Sequence, residues 1–108
     1  MSTLLIRRSM LAGLLCFLSP AAPVLAEEYV VTIDQMEFGD VPAELKVGDV
    51  IIWRNNDMFR HTATDRDGSF DVDLPPKAEA RLVLESAGSI EFYCRLHSGM
   101  VGTLTVSP

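Results

Sequence analysis

The residues of this chain that could bind a metal ion are few and are concentrated near its C-terminus. Cys94, His97 and Met100 form a Cys-x-x-His-x-x-Met pattern, and the 108-residue sequence has one other histidine, His61. One thiolate, two imidazoles and a weak thioether form the donor set that suits copper used for electron transfer. The sulfur donors favour Cu(I) and imidazole also suits Cu(II), so a fixed arrangement of these donors lets the ion change charge with little ligand movement.

The N-terminus has the features of a secretory signal segment. Arg7 and Arg8 form a basic region, residues 10–18 are apolar, and small residues follow at a cleavage site. The apolar stretch is too short to span a membrane, which takes roughly 20 residues. We therefore expect residues 1–26 to be removed on export, by the Sec route or, given the paired arginines, the twin-arginine route. Residues 27–108 would then form a periplasmic or otherwise exported domain.

The mature domain defined in this way is small and acidic. Its 82 residues hold all 15 acidic residues and seven of the nine basic ones, which gives a net charge of −8. A nucleic-acid binder needs a basic surface, so the charge argues against that class of partner. We expect a monomer that is not inserted in a membrane once the signal segment is removed.

Cys94 is the only cysteine of the mature domain. Oxidising compartments pair or oxidise exposed cysteines, so something must protect this thiol. Either the side chain is buried and inert, or its sulfur is bonded to a metal. A metal site explains more, because the same site would use the only cysteine and both histidines.

The pattern along the mature chain is that of strands. Short runs with a period of two alternate with turn residues, and no helical period of 3.6 residues occurs. We predict about seven strands, near residues 29–33, 45–47, 50–53, 61–64, 81–84, 90–95 and 103–106, and a loop over 65–73. So many short strands in so small a domain predict two sheets packed face to face, as an all-β Greek-key β-sandwich.

This fold could bring the four donors together. Cys94 follows Phe92 on the inward face at the end of the penultimate strand, and Gly99 and Gly102 would let the next loop curl back over the thiol. His61 begins a strand that a sandwich can place beside that loop.

The residues around the donors resemble the cupredoxins, the plastocyanin- and azurin-like family of small type 1 copper proteins. The resemblance covers nearly all of residues 28–108, and its most specific parts are residues 47–55 and the Phe-Tyr-Cys-Arg-Leu-His-Ser-Gly-Met-Val-Gly stretch at 92–102. The two-residue gap between His97 and Met100 is similar to the short ligand loop of amicyanin-type members.

The resemblance implies one copper ion per chain. By position, His61, Cys94 and His97 would be its equatorial ligands and Met100 its distant axial ligand. It also implies that His97 reaches the surface through an apolar patch, where electrons would leave.

The residues beside His61 depart from the family pattern. Many members have a small residue or Pro before this histidine and Asn after it, whereas this chain has Arg60 and Thr62. The Asn links the two ligand segments by hydrogen bonds, and we expect Thr62 to do so more weakly. Arg60 would place a cation near the metal and so favour Cu(I). Met58 and Phe59 are either core residues or part of the apolar patch.

Three function classes fit these residues. The first is a soluble electron shuttle that cycles between Cu(II) and Cu(I) and serves a redox partner protein such as a dehydrogenase, a cytochrome or an oxidase. The second is a periplasmic copper carrier or copper-resistance protein, which would exchange the ion itself. The third is a zinc-stabilised interaction module, since two histidines and a cysteine also hold zinc.

The shuttle is the preferred hypothesis. The chain has no Met- or His-rich tract of the kind expected of a copper carrier, and zinc sites rarely recruit a residue such as Met100. We do not expect an enzyme, because both histidines are assigned to the metal and a closed four-donor site leaves no open coordination position.

Overall fold

The structure is a computed structural model that describes residues 25–108, so all but the last two residues of the predicted signal segment lie outside it. The described chain forms nine strands: β1 (Glu28–Asp34), β2 (Glu37–Phe38), β3 (Leu45–Lys46), β4 (Val50–Asn55), β5 (His61–Asp65), β6 (Asp71–Leu74), β7 (Glu79–Val83), β8 (Gly88–Tyr93) and β9 (Val101–Ser107). No helix capable of spanning a membrane occurs in residues 25–108.

The strands form two sheets. One has the order β2-β1-β4-β7 and the other the order β3-β9-β8-β5-β6. β1 pairs in parallel with β4 and β3 with β9, and the remaining pairs are antiparallel. The chain crosses repeatedly from one sheet to the other, for example between β4 and β5. The predicted all-β sandwich is confirmed.

Two short strands differ from the prediction. β2 follows a tight turn after β1, and β6 occupies part of the region predicted as a loop over 65–73, a prediction that is wrong from Asp71 onward. In β6, exposed Asp71 and Asp73 alternate with half-buried Val72 and buried Leu74. The acidic residues make this segment look like a loop in the sequence, but they are tolerated because β6 lies at the edge of its sheet.

The core between the sheets is centred on Trp53 of β4 and Phe92 of β8, both fully buried. Their ring centroids lie 5.1 Å apart, and Phe38 packs edge-on against Trp53 at 6.0 Å and against Phe92 at 4.8 Å. Edge-to-face contacts of this kind are favoured by the charge distribution of aromatic rings. The cluster anchors β8, the strand that leads directly into Cys94.

The close approach of β8 and β9 explains one glycine. Phe92 pairs with Gly102 across the two strands, and a Cβ atom on Gly102 would lie 2.3 Å from the Phe92 ring. Gly102 therefore makes room for the Phe92 ring in the core. The prediction that Gly102 helps the loop to curl back over the thiol is wrong. Gly99, with φ of +93°, is the residue that supplies the left-handed conformation in that loop.

Strand pairing brings the predicted ligand segments to one end of the sandwich. β5 and β8 are antiparallel, with Thr64 opposite Tyr93, so the start of β5 runs past the end of β8 and lies beside the residues that follow that strand. Tyr93 is also opposite Val101 in β9. Residues 94–100 thus form a loop at this end, next to His61.

Candidate metal centre

Three of the predicted donors converge on one point. Nδ1 of His61 and Nδ1 of His97 are 3.2 Å apart, and Sγ of Cys94 lies 3.8 Å from the first and 3.7 Å from the second. His61 is fully buried, Cys94 is 1% exposed and His97 is half-buried. The thiol is therefore buried, which protects it from oxidation, and it lies beside the two imidazoles with which it could bind a metal.

The triangle formed by these three atoms fits a metal ion. A point equidistant from its corners lies about 2.1 Å from each, within the range of about 2.0–2.3 Å for zinc bonds to imidazole nitrogen and thiolate sulfur. A trigonal arrangement of two histidines and a cysteine, with a weak axial Met, is the geometry of blue-copper sites. The donors present therefore suit copper.

Met100 is buried at the end of the same loop and packs in the core cluster that includes Cys94. Its N–H donates to the carbonyl of His97 at 3.3 Å, and its own carbonyl accepts from the N–H of Cys94 at 3.1 Å. These two bonds close the loop. They hold the backbone of Met100 against His97 and Cys94, two of the predicted ligands.

The imidazole of His61 is oriented by Asp57, whose Oδ2 lies 2.8 Å from Nε2. A carboxylate only accepts, so Nε2 donates its proton and leaves the Nδ1 lone pair facing Cys94. Partial burial raises the pKa of Asp57, but hydrogen bonds from two backbone N–H groups and the imidazole outweigh burial and lower the pKa below its usual value. Asp57 was not among the predicted site residues, because its only signal in the sequence is a carboxyl group four residues before a candidate ligand.

Thr62 links the two ligand segments. Its N–H donates to Sγ of Cys94 at 3.4 Å, and its hydroxyl oxygen accepts from the N–H of Arg95 at 2.9 Å. Hydrogen bonds to a ligating sulfur orient it and tune the metal. The connection that the family makes through Asn is thus present here through Thr62.

The Thr62 hydroxyl belongs to a closed ring of hydrogen bonds. Asp71 Oδ1 can only accept, and it receives the hydroxyl of Thr64 at 2.7 Å and Nε–H of Arg95 at 3.0 Å. Oγ1 of Thr64 must then accept from the hydroxyl of Thr62 at 2.9 Å. These bonds, first from Thr64 and then from Arg95, lower the pKa of Asp71. The ring fixes both threonines, which are buried, and returns to the residue after Cys94.

An apolar surface lies beside His97. Met58, Phe59 and Leu96 are 72%, 59% and 49% exposed, and the Phe59 ring lies 6.3 Å from the His97 ring. We call these three residues the apolar patch. Arg60, next to Phe59, is exposed, and its Nε lies 3.7 Å from a carboxylate oxygen of Asp73.

Comparisons with known proteins agree with this structure. No protein-family profile matches the chain. The methylamine utilization protein MauL of Methylorubrum extorquens is 35% identical over 83 residues, which is 73% of this chain and 73% of MauL. Amicyanin of Paracoccus versutus is 27% identical over 92 residues, 80% of this chain and 70% of amicyanin.

Solved structures share the fold. The crystal structure of amicyanin from Paracoccus versutus aligns with a TM-score of 0.62 at 22% identity and covers 81% of this chain and 86% of that chain. A substituted amicyanin in the Cu(I) state aligns with a TM-score of 0.63 at 23% identity and covers 74% and 82%.

The chain belongs to the cupredoxins, the family of small copper proteins, and within them it is similar to amicyanin and MauL. As an amicyanin-like cupredoxin it is an electron carrier with copper as its cofactor. Amicyanin-like cupredoxins are electron carriers and not enzymes, so the prediction that this chain is not an enzyme is confirmed.

The ring around Thr62 generates a prediction about stability. Thr64→Val keeps the shape of the side chain but removes the acceptor of the buried Thr62 hydroxyl, which should lower the free energy of unfolding by about 1–3 kcal/mol. Urea unfolding of the metal-free protein measures this free energy. The matched control is Thr103→Val at an exposed site of β9, where a change of at most about 0.5 kcal/mol is expected. Equal losses in the two variants would show that the ring does not stabilise the site.

Proposed function

We propose that this protein is an exported, soluble electron shuttle that holds one copper ion through His61, Cys94 and His97, with Met100 as a weak axial donor. The observation that carries the proposal is the triangle of two nitrogen atoms and one sulfur atom, whose size suits a transition metal. The proposal is supported by the similarity of this chain to amicyanin in sequence and in fold.

The chain's own residues favour fast electron exchange. Bound copper supplies a one-electron couple between Cu(II) and Cu(I). Burial of His61 and Cys94 excludes water from the donors, Asp57 holds the imidazole, and hydrogen bonds from the backbone hold the sulfur and the loop. Because these contacts fix the donors from outside, the two oxidation states should use nearly the same geometry.

The apolar patch would be the surface that meets the redox partner. It lies beside the half-buried imidazole of His97, the proposed route by which electrons leave, with the Phe59 ring 6.3 Å from the imidazole ring. A dehydrogenase, a cytochrome or an oxidase would each be compatible with it. The name of the relative MauL, a methylamine utilization protein, favours an amine dehydrogenase among these.

Export is part of the same proposal. Residues 1–26 would be a signal segment that is removed before residues 27–108 act in the periplasm or another exported compartment. A buried lone thiol is compatible with an oxidising compartment. Sequencing of the N-terminus of the exported protein tests the boundary, since it should begin at Glu27.

Replacement of the thiolate tests the ligand assignment. Cys94→Ser should remove the intense visible absorption that a thiolate bound to Cu(II) gives, because no other thiol remains in residues 27–108. The absorption spectrum of the copper-loaded protein measures it. Ser98→Ala, an exposed change in the same loop, should keep the band. A blue band that persists in Cys94→Ser would reject Cys94 as a ligand.

Retention of copper separates a shuttle from a copper carrier. A shuttle should keep most of its copper through repeated cycles of ascorbate reduction and ferricyanide oxidation in the presence of the Cu(I) chelator bathocuproine disulfonate, because its donors are buried. His97→Ala opens the half-buried side of the site and should lose copper under the same conditions. Loss of copper from the unsubstituted protein as fast as from this variant would favour the carrier.

The role of the apolar patch can be measured without the natural partner. Phe59→Ser should slow electron self-exchange between reduced and oxidised protein by about tenfold, the effect of about 1.4 kcal/mol lost from the encounter complex. NMR line broadening in mixtures of the two states gives the rate. Val83→Ser, at an exposed apolar residue of the edge strand β7, is the control. The visible spectrum should be unchanged in both, and equal exchange rates would remove the patch from the proposal.

A further inference from the structure

The turn between β1 and β2 has an unfavourable backbone conformation. Its two central residues, Gln35 and Met36, have φ of +52° and +64°, and the flanking residues Asp34 and Glu37 pair directly. This is the type I′ hairpin pattern, which strongly prefers Asn and Gly because other residues are strained there. Neither preferred residue is present, so something else must favour this conformation.

That conformation presents two successive N–H groups to Asp57. Oδ1 of Asp57 accepts from the N–H of Gln35 at 2.8 Å, and Oδ2 accepts from the N–H of Met36 at 3.0 Å. Successive backbone N–H groups in a turn form a concave site for an anion. The strained turn therefore acts as a cradle for one carboxylate, which contributes the stabilisation that the turn sequence lacks.

The same carboxylate contacts the imidazole of His61 at 2.8 Å through Oδ2. Its position is also fixed along its own loop, since the N–H of Asp57 donates to the side chain of Asn55 at 2.9 Å. Asn55 is buried and donates in turn to the carbonyl of Phe59 at 2.7 Å. The Asp57 side chain is only 11% exposed, so its charge is poorly screened by water.

We propose that Asp57 is a positioning residue of the copper centre: its carboxylate, held by the strained β1–β2 turn, orients His61 and makes the site favour Cu(II) over Cu(I). The proposal rests on the copper site proposed above. A carboxylate that accepts from a ligating histidine raises the basicity of the ligand, and a nearby negative charge stabilises the more positive ion.

The substitution Asp57→Asn tests the charge while keeping the size of the side chain. Loss of such an outer partner typically weakens metal binding by about 10–100-fold, and we expect the loss to fall mainly on Cu(II). A tenfold loss confined to Cu(II) raises the reduction potential by about 59 mV, the value of a factor of ten for a one-electron couple. Voltammetry of the copper-loaded protein measures the shift, and competitive titration of each oxidation state measures the affinities.

A second variant separates the effect of charge from the stability of the turn. Gln35→Gly removes strain at an exposed turn residue and keeps the N–H that donates to Asp57, so it should raise the folding equilibrium constant of the metal-free protein and shift the potential far less than Asp57→Asn does. Combined with Asp57→Asn, it should recover folding stability but not the original potential. The combined variant also keeps the test valid if Asp57→Asn alone folds poorly.

The outcomes are distinct. Absence of a blue band in the unsubstituted copper-loaded protein would reject the proposed function itself. A blue band with the same potential in the presence and absence of the Asp57 carboxylate would overturn this inference alone. Recovery of the potential by Gln35→Gly would likewise overturn it, because the role of Asp57 would then be to stabilise the fold and not to act on the metal.

Discussion

The antiparallel pairing of β5 with β8 is the constraint on which the metal centre depends. It places the first residue of β5, His61, beside the first residue after β8, Cys94, although 33 positions separate them in the sequence. The aromatic cluster of Phe38, Trp53 and Phe92 fixes β8 against the opposite sheet, so the end of that strand cannot shift without disrupting the core. The position of the thiol is therefore set by packing, before any ligand bond is considered.

Hydrogen bonds then convert proximity into orientation. A β-strand fixes the direction of a side chain but leaves the rotation of an imidazole or a thiol undetermined. For His61 this rotation is set by Asp57, and for Cys94 the N–H of Thr62 points at the sulfur. Buried polar groups of this kind rigidify a site only when every donor and acceptor is matched. The ring through Thr62, Thr64 and Asp71 meets that condition.

The sequence predicted the sandwich and the donor residues for good physical reasons. Alternating apolar residues such as those of β8 and β9 are visible without any knowledge of partners, and Cys94, His97 and Met100 are close in the chain. Convergence of His61 with the loop followed from the strand order that a Greek-key sandwich allows, and the structure confirms it for three of the four donors. β6 was missed because an edge strand can carry aspartates on its exposed face.

The hydrogen bonds around the predicted ligands could not be predicted, because they join segments that lie far apart in the sequence. Thr62 was expected to be a weak substitute for Asn, a judgement made on one side chain alone. Its hydroxyl is in fact held by Thr64 and the backbone of Arg95, and neither contact has a sequence signal. The role of Asp57 depends equally on a turn more than 20 residues earlier, whose sequence gives no indication of positive φ.

The two carboxylates near the ligands should act on the metal in different ways. Asp71 is about half exposed and is paired with the guanidinium of Arg95, so water and a neighbouring cation screen its charge. Its effect on the centre must be mainly geometric, through the hydroxyls that it orders. Asp57 is shielded from solvent, and no Lys or Arg within residues 25–108 forms an ion pair with it. Since electrostatic energy scales inversely with distance and effective dielectric constant, Asp57 is the acidic residue whose charge should reach the copper.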